Sequence, residues 1–436
     1  MGNKTDWNRT YGLSEPQQVV LSWTSNAVSF RVQFTTLEPV DAALMKYWRK
    51  DSYEPATYIT ESEQDWTFVD GGSENRTIYQ HILQSYQLAR SGLYAYQVAS
   101  VKDDEYMWSE VFEFHTRDDE AFSFLAMADM GVANAASMPS LMRAARSGFY
   151  DFVTILGDQA YDLSDLNGRK GDEYMNFVQP VYANVPVLAT PGNHEAAYNF
   201  SHFKNRFNLM PYRESHYENA VQYSFDYRSL HITSISTEVY FNGTAEEIET
   251  AQNWIVRDLH NAQRNPEIRW IIVIGHRPLY CTPIDDPDCG ERGQLLRDAL
   301  EPLFLRYHVD LYLCGHVHNY ERTYPIVDDQ LQSYSYLNPP SFFQVISGNS
   351  GNYHGIDPVG LSDSPPPWVA FRYHGYGFST ININPTKLEL FHWRSFPDGT
   401  ASLEDKVTVI KSTTYMNRAL LRVCSLLPFI SLCVMK

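Results

Sequence analysis

Five short motifs run in order through the chain and offer the donors that a hydrolytic metal centre uses. They are Asp129-Met130-Gly131, Gly157-Asp158-Gln159-Ala160-Tyr161, Gly192-Asn193-His194, Val273-Ile274-Gly275-His276 and Gly315-His316-Val317-His318. Carboxylates and a phenol suit a hard cation, whereas an amide oxygen and imidazoles suit a borderline divalent one. Singly, Asp-x-Gly and Gly-Asn-His are ordinary turn sequences, and a His-x-His pair is more often structural than ligating. If the segment is extended, period-two alternation puts His316 and His318 on one side. Together the motifs hold enough donors for two cations, which can activate water and clamp the oxygens of a transferring group. The chemistry indicated is metal-assisted hydrolysis.

Such a centre needs strands to deliver its donors. Apolar runs at 122–127, 151–156, 185–188, 270–274 and 309–313 precede the motifs directly. Helical signals fall between them. Ser137 and Pro139 open one helix, Leu141, Met142 and Ala145 share a face, and Gly148 closes it. Thr244 and Glu247 form a capping box ahead of Ile248, Gln252, Ile255 and Leu259, and a further helix is expected around 295–303. This alternation predicts an α/β domain over 121–411, with a parallel or mixed sheet covered on both faces and ligands beyond the strand ends. Residues 14–116 read as all-β. Apolar residues alternate at Val19, Leu21 and Trp23, at Phe30, Val32 and Phe34, at Tyr94, Tyr96 and Val98, and at Phe112 and Phe114. A hairpin signal at Gly71-Gly72-Ser73 completes the pattern of a fibronectin type III-like sandwich. The charged run 117–120 separates the two. The tail, 412–436, is atypical; its apolar stretch at 423–435 contains Pro428 and is short for a bilayer span, so no membrane association is expected.

The net charge of −18 and the pI near 5.2 argue against a nucleic-acid partner, since backbone binding needs a basic patch. Oligomeric state is not legible. Cys281 and Cys289 flank a turn-rich loop and either form a short disulfide in an oxidising compartment or stay as two free thiols; Cys314 ends an apolar run as a buried small hydrophobe. Glycosylation sequons stand at Asn3, Asn8, Asn75, Asn199 and Asn242.

The order and content of the five motifs resemble the calcineurin-like metallophosphoesterases. Tyr161 and the Val273-x-x-His276 form narrow the resemblance to purple acid phosphatases. The N-terminal β-region, Gly275-His276-Arg277-Pro278-Leu279-Tyr280-Cys281 and His318-Asn319-Tyr320-Glu321-Arg322 look like their long animal form. The resemblance covers roughly 14–411. It implies a sandwich of two mixed sheets flanked by helices behind the β-domain. It implies iron(III) held by Asp129, Asp158, Tyr161 and His318, and a divalent metal (iron, zinc or manganese) held by Asp158, Asn193, His276 and His316. The implied activity is hydrolysis of small phosphate monoesters by a metal-activated hydroxide at mildly acidic pH. Asn193 and His194 are then the substrate-binding pair, with His194 as catalytic residue. Arg277 and Arg322 either add positive charge or pack at the loop ends.

Two departures accompany the resemblance. Many members carry a histidine several residues beyond Val-x-x-His, yet the loop 281–289 has none. The general acid is therefore unassigned; Asp285, Asp286, His354 and His374 are candidates, with solvated loop residues as the plainer reading. The chain also starts on polar residues at Met1, which reads as a missing leader for a secreted or lysosomal protein. The rival readings are a phosphodiesterase or nucleotide pyrophosphatase on the same scaffold, and a non-catalytic metal-binding secreted glycoprotein.

Overall fold

The computed structural model describes residues 9–24, 29–53, 57–69, 72, 74–217, 219–282, 286–357 and 364–412. Asn3, Asn8, Asp285 and the tail from residue 413 lie outside these. The alternating segments at the front form two antiparallel sheets. One runs in the order Gln17–Trp23, Phe30–Thr36, Arg76–Leu83, Gln64–Phe68. The other runs Thr57–Glu61, Ala42–Arg49, Gly92–Lys102, Glu105–Trp108, with Phe112–Thr116 also paired to Gly92–Lys102. The inward residues of both sheets, including Val32, Phe34, Tyr96 and Val98, are buried, and Phe30 meets Phe114 across the sandwich at 4.7 Å between ring centres.

Behind this sandwich lie two mixed sheets. The first has the order Val187–Thr190, Phe152–Leu156, Phe122–Met127, Gly377–Asn384, Lys387–Ser395, Ala401–Ile410, parallel over its first three strands and antiparallel beyond. The second runs Tyr223–Tyr227, Leu230–Ser234, Trp270–Ile274, Leu311–Cys314, Phe343–Ser347, Tyr320–Thr323, Val369–Tyr373, with a parallel centre and antiparallel edges. The sheets meet face to face. Phe152 packs on Phe225, Thr190 Oγ1 bonds Ser234 Oγ at 2.7 Å, and Ser347 Oγ bonds Ser379 Oγ at 2.9 Å. Central strands such as Phe152–Leu156 and Trp270–Ile274 are buried along their whole length, which explains their unbroken apolar sequence.

The helix signals were sound, with one change of detail. Helix Met138–Arg146 carries Pro139 in its first turn, but Ser137 does not cap it; the Ser137 hydroxyl donates to the Gly377 carbonyl instead. Thr244 and Glu247 do form the capping box of helix Ala245–Arg264. The predicted helix near 295–303 extends over Glu291–Arg306. The strands from Gly377 to Ile410 were not read from the sequence, although they supply half of the first sheet. Among the described residues no helix is long and apolar enough to cross a membrane.

Candidate metal centre

Each motif sits just past a strand end, on backbone bent sharply enough to turn a side chain inward. Asp129, Asp158, Tyr161 and His316 all have positive φ, between 49° and 70°. Non-glycine residues held there carry strain, and such strain collects at functional sites. The glycines of the motifs allow the loops to approach one another. A Cβ on Gly192 would lie 2.3 Å from Asp158 Oδ1, and one on Gly157 would lie 2.5 Å from His276 Nδ1.

The seven predicted metal-binding residues meet in one place. Tyr161 Oη is 3.2 Å from both Asp129 Oδ1 and His318 Nε2, and His318 Nε2 is 3.6 Å from Asp129 Oδ1. Beside them, His276 Nε2 lies 3.1 Å from Asp158 Oδ2, from Asn193 Oδ1 and from His316 Nδ1. Oxygen donors and one imidazole thus lie on one side, and an amide plus two imidazoles on the other. The donor atoms of Asp158, His276 and His316 fall within 4.8 Å of one another.

Hydrogen bonding shows what this arrangement requires. His276 Nδ1 lies 2.8 Å from the Leu156 carbonyl, so it carries the proton and donates. That leaves Nε2 with a bare lone pair, pointing at a carboxylate oxygen, an amide oxygen and another imidazole nitrogen. Acceptors buried against acceptors need a cation between them. In a metal-free protein a proton plays that part: burial opposes a charged imidazole, but the Asp158 carboxylate beside it raises His276 to about 10. Burial likewise opposes the Asp158 carboxylate, yet His276 holds it well below its usual range. Burial, with the carboxylates of Asp129 and Asp158, raises the Tyr161 phenol far above its ordinary value. A phenolate can exist there only against strong positive charge. The donor set fits a metal pair.

His194 stands at the mouth. Its ring is 4.6 Å from that of Tyr161, and its backbone N–H donates to Asp158 Oδ1 at 3.0 Å. Nδ1 lies 2.8 Å from Asp162 Oδ1, while Nε2 is 3.9 Å from Asp158 Oδ2. Burial alone lowers this histidine, but the hydrogen bond to Asp162 and the Asp158 charge raise it to about 9.

The remaining sequence candidates separate clearly. Arg322 is buried against Asp405 at 2.6 Å, and Arg277 is held by Glu238 at 2.8 Å and Asp288 at 2.6 Å. Both are ion-paired, Arg322 within the strand Tyr320–Thr323 and Arg277 in the loop after Trp270–Ile274, so neither offers a free charge. The His354 ring is exposed at the rim, 6.3 Å from Tyr161 and 6.5 Å from His318, whereas His374 Nε2 bonds the Asp357 carbonyl at 2.8 Å. Asp286 accepts the Asp288 N–H, and burial raises its carboxyl. Cys281 and Cys289 are joined in a disulfide, and Cys314 is buried. Asn75, Asn199 and Asn242 are exposed.

Sequence reasoning missed the supporting carboxylates. Glu195 is buried and accepts the N–H groups of Asp158, Gln159 and Gly192 at 2.7–2.9 Å, tying two motifs together. Burial and the nearby Asp158 raise it to about 8. Its only signal was its place directly after Gly192-Asn193-His194. Asp162 and Asp288 carried no pattern at all, since each acts through a partner distant in sequence.

The family comparisons agree with this geometry. The profile "Purple acid Phosphatase, N-terminal domain" matches residues 16–116, "Calcineurin-like phosphoesterase" matches 122–320, and "Iron/zinc purple acid phosphatase-like protein C" matches 341–405. Acid phosphatase type 7 of Homo sapiens is 33% identical over 418 residues, covering 91% of each chain. The chain belongs to the purple acid phosphatase family. Acid phosphatase type 7 of Danio rerio is 32% identical, covering 91% of this chain and 92% of its own. The solved purple acid phosphatase of yellow lupin seeds shares the fold, with a TM-score of 0.77 at 19% identity over 94% of this chain and 76% of its own. Like that family member, the chain couples an all-β front to the mixed-sheet phosphoesterase core.

Proposed function

We propose that this purple acid phosphatase hydrolyses small phosphate monoesters with iron(III) at Asp129, Asp158, Tyr161 and His318 and a divalent metal at Asp158, Asn193, His276 and His316. The observation that carries the reading is the cluster of facing lone pairs around His276 Nε2. When bound, the cations supply Lewis acidity, lowering the pKa of water and offsetting phosphate charge. Asp158 would be shared by the two donor sets. Glu195 holds its backbone, and Leu156 fixes the His276 tautomer. Asp162 accepts the Nδ1–H of His194 and leaves Nε2 facing the centre, where the imidazolium would meet phosphate oxygens. Asp286 and His354 are the groups at the rim available to protonate the leaving alkoxide. The disulfide and the exposed sequons at Asn75, Asn199 and Asn242 support a secreted or lysosomal glycoprotein.

Metal analysis with a visible spectrum tests the assignment. Iron with a second metal, and a charge-transfer band that Y161F abolishes, are expected. D158A should lose both metals and reduce turnover of a monoester to background. A colourless, iron-free protein with full activity would refute the Tyr161 assignment, and faster turnover of diesters than monoesters would refute the substrate class.

A further inference from the structure

His316 can serve the centre only if its Nδ1 is unprotonated, since that is the atom 3.1 Å from His276 Nε2. Two groups compete for the other ring nitrogen. Arg277 Nη1 lies 2.9 Å from His316 Nε2, and Asp288 Oδ2 also lies 2.9 Å from it. These neighbours impose opposite tautomers. A guanidinium has donors only. If Nε2 accepted from Arg277, the ring proton would sit on Nδ1 and point into the centre. If Nε2 donates to Asp288, Nδ1 is bare. Asp288 also accepts one of the two N–H groups of Arg277 Nη1 on its other oxygen at 2.6 Å, and a carboxylate oxygen 2.9 Å from Nε2 calls for the ring proton between them. Asp288 is buried, and it immediately precedes Cys289, whose disulfide ties it to Cys281, five residues beyond His276.

We propose that Asp288 is a positioning residue that selects the ligating tautomer of His316, and that the Cys281–Cys289 disulfide is what keeps Asp288 at that nitrogen. This rests on the metal-centre reading above. Partners that fix the far nitrogen of a ligating histidine typically change metal affinity 10–100-fold when removed. The disulfide thereby acquires a role in metal retention besides any role in stability.

The test compares wild type, D288A, C281S/C289S and the exposed control R292A, whose side chain meets Asp288 at 3.3 Å from the solvent side. Zinc(II) affinity is read against a competing chelator, and the tautomer of His316 in metal-free protein is read by nitrogen NMR of labelled histidine, assigned with H316N. Expected are a roughly 10–100-fold weaker zinc site in D288A, a shift of His316 toward the Nδ1–H form, and the same two changes in smaller degree in C281S/C289S. R292A should match wild type in both readouts, and circular dichroism should show all four folded. A tautomer and zinc affinity unchanged in folded D288A overturn the proposal alone. Unchanged values in C281S/C289S with changed values in D288A overturn the part given to the disulfide. A wild type that takes up no metal overturns the metal-centre reading, and this proposal with it.

Discussion

Two of the loops that bring donors to the centre are fastened in opposite ways. The loop after Phe152–Leu156, which carries Asp158 and Tyr161, is rooted without any covalent link. The carbonyls of Asn167 and Gly168 at its far end accept from Arg76 Nη2 at 2.8 Å and Arg206 Nη2 at 2.9 Å. Both guanidiniums converge on Asp172 at 2.7–2.9 Å, joined by Gln18 Nε2 at 3.1 Å. Arg76 and Gln18 belong to the N-terminal sandwich, and both arginines are 1% exposed as side chains. The loop after Trp270–Ile274 is buried through Thr282 and reaches solvent only farther on, at Pro287 and Gly290. It is stapled by a disulfide, and Arg292, which touches Asp288, is half exposed. The β-sandwich is thus part of the foundation of the Tyr161 loop, whereas the His276 loop is fastened within itself.

The largest expected effect tests the first root. D172A leaves two buried guanidiniums without their carboxylate, and breaking such a network by removing one partner costs about 3–5 kcal/mol. Urea unfolding of metal-free protein should show a loss of that size, with both fold halves destabilised together. A loss under about 1 kcal/mol, the range of an exposed pair, would mean that the network does not root the loop.

This difference also explains what could be read from the sequence. The donors were legible because chemistry constrains their types and strand ends constrain their order: Asp129, Asp158, Tyr161, Asn193, His276, His316 and His318 all meet as placed. The strands that deliver them were legible because buried parallel strands are continuous apolar runs. The holders were not. Arg76 and Asp172 are 96 residues apart, and Asp288 and Glu195 look like any loop acid until their partners are known. The strands from Gly377 to Ile410 escaped for a similar reason. They carry no motif donor, so no chemistry marks them, even though Lys387–Ser395 shows the period-two burial of a strand.

The staple of the second loop should matter less to stability than the buried network does to the first. Closing so short a loop is worth about 2–3 kcal/mol on the chain-entropy view. C281S/C289S should therefore fall below wild type by about that much and remain above D172A. The same urea experiment ranks them, and a reversed order would make the disulfide the main anchor of the centre.

The smallest effect concerns acid, where the root of the Tyr161 loop differs from the support of the strand after His318. Burial opposes the Asp172 carboxylate, but Arg206 and Arg76 hold it below its ordinary value, so its contribution is complete above the unfolded pKa near 3.8 and is lost only as pH falls through the lower folded value. Between pH 7 and pH 5 the first root is indifferent to acid. The strand that continues from His318 rests on a different group. His392 is buried under Tyr320, 3.8 Å between ring centres, and bonds Asn349 at 3.1 Å and Ser379 at 3.0 Å. Burial lowers it to about 3. Its unfolded value is near 6.5, so between these limits the unfolded chain binds the extra proton and stability falls as the pH falls. At pH 5 the cost is about 2 kcal/mol, at 1.36 kcal/mol per pH unit. H392N should be less stable than wild type at pH 7, because it loses the stacked ring. Its deficit should shrink by about that 2 kcal/mol at pH 5, since asparagine has no proton to take up. A deficit that stays constant with pH would show that His392 takes up its proton in the fold as readily as in the unfolded chain, and any acid sensitivity of this strand would then have to lie elsewhere.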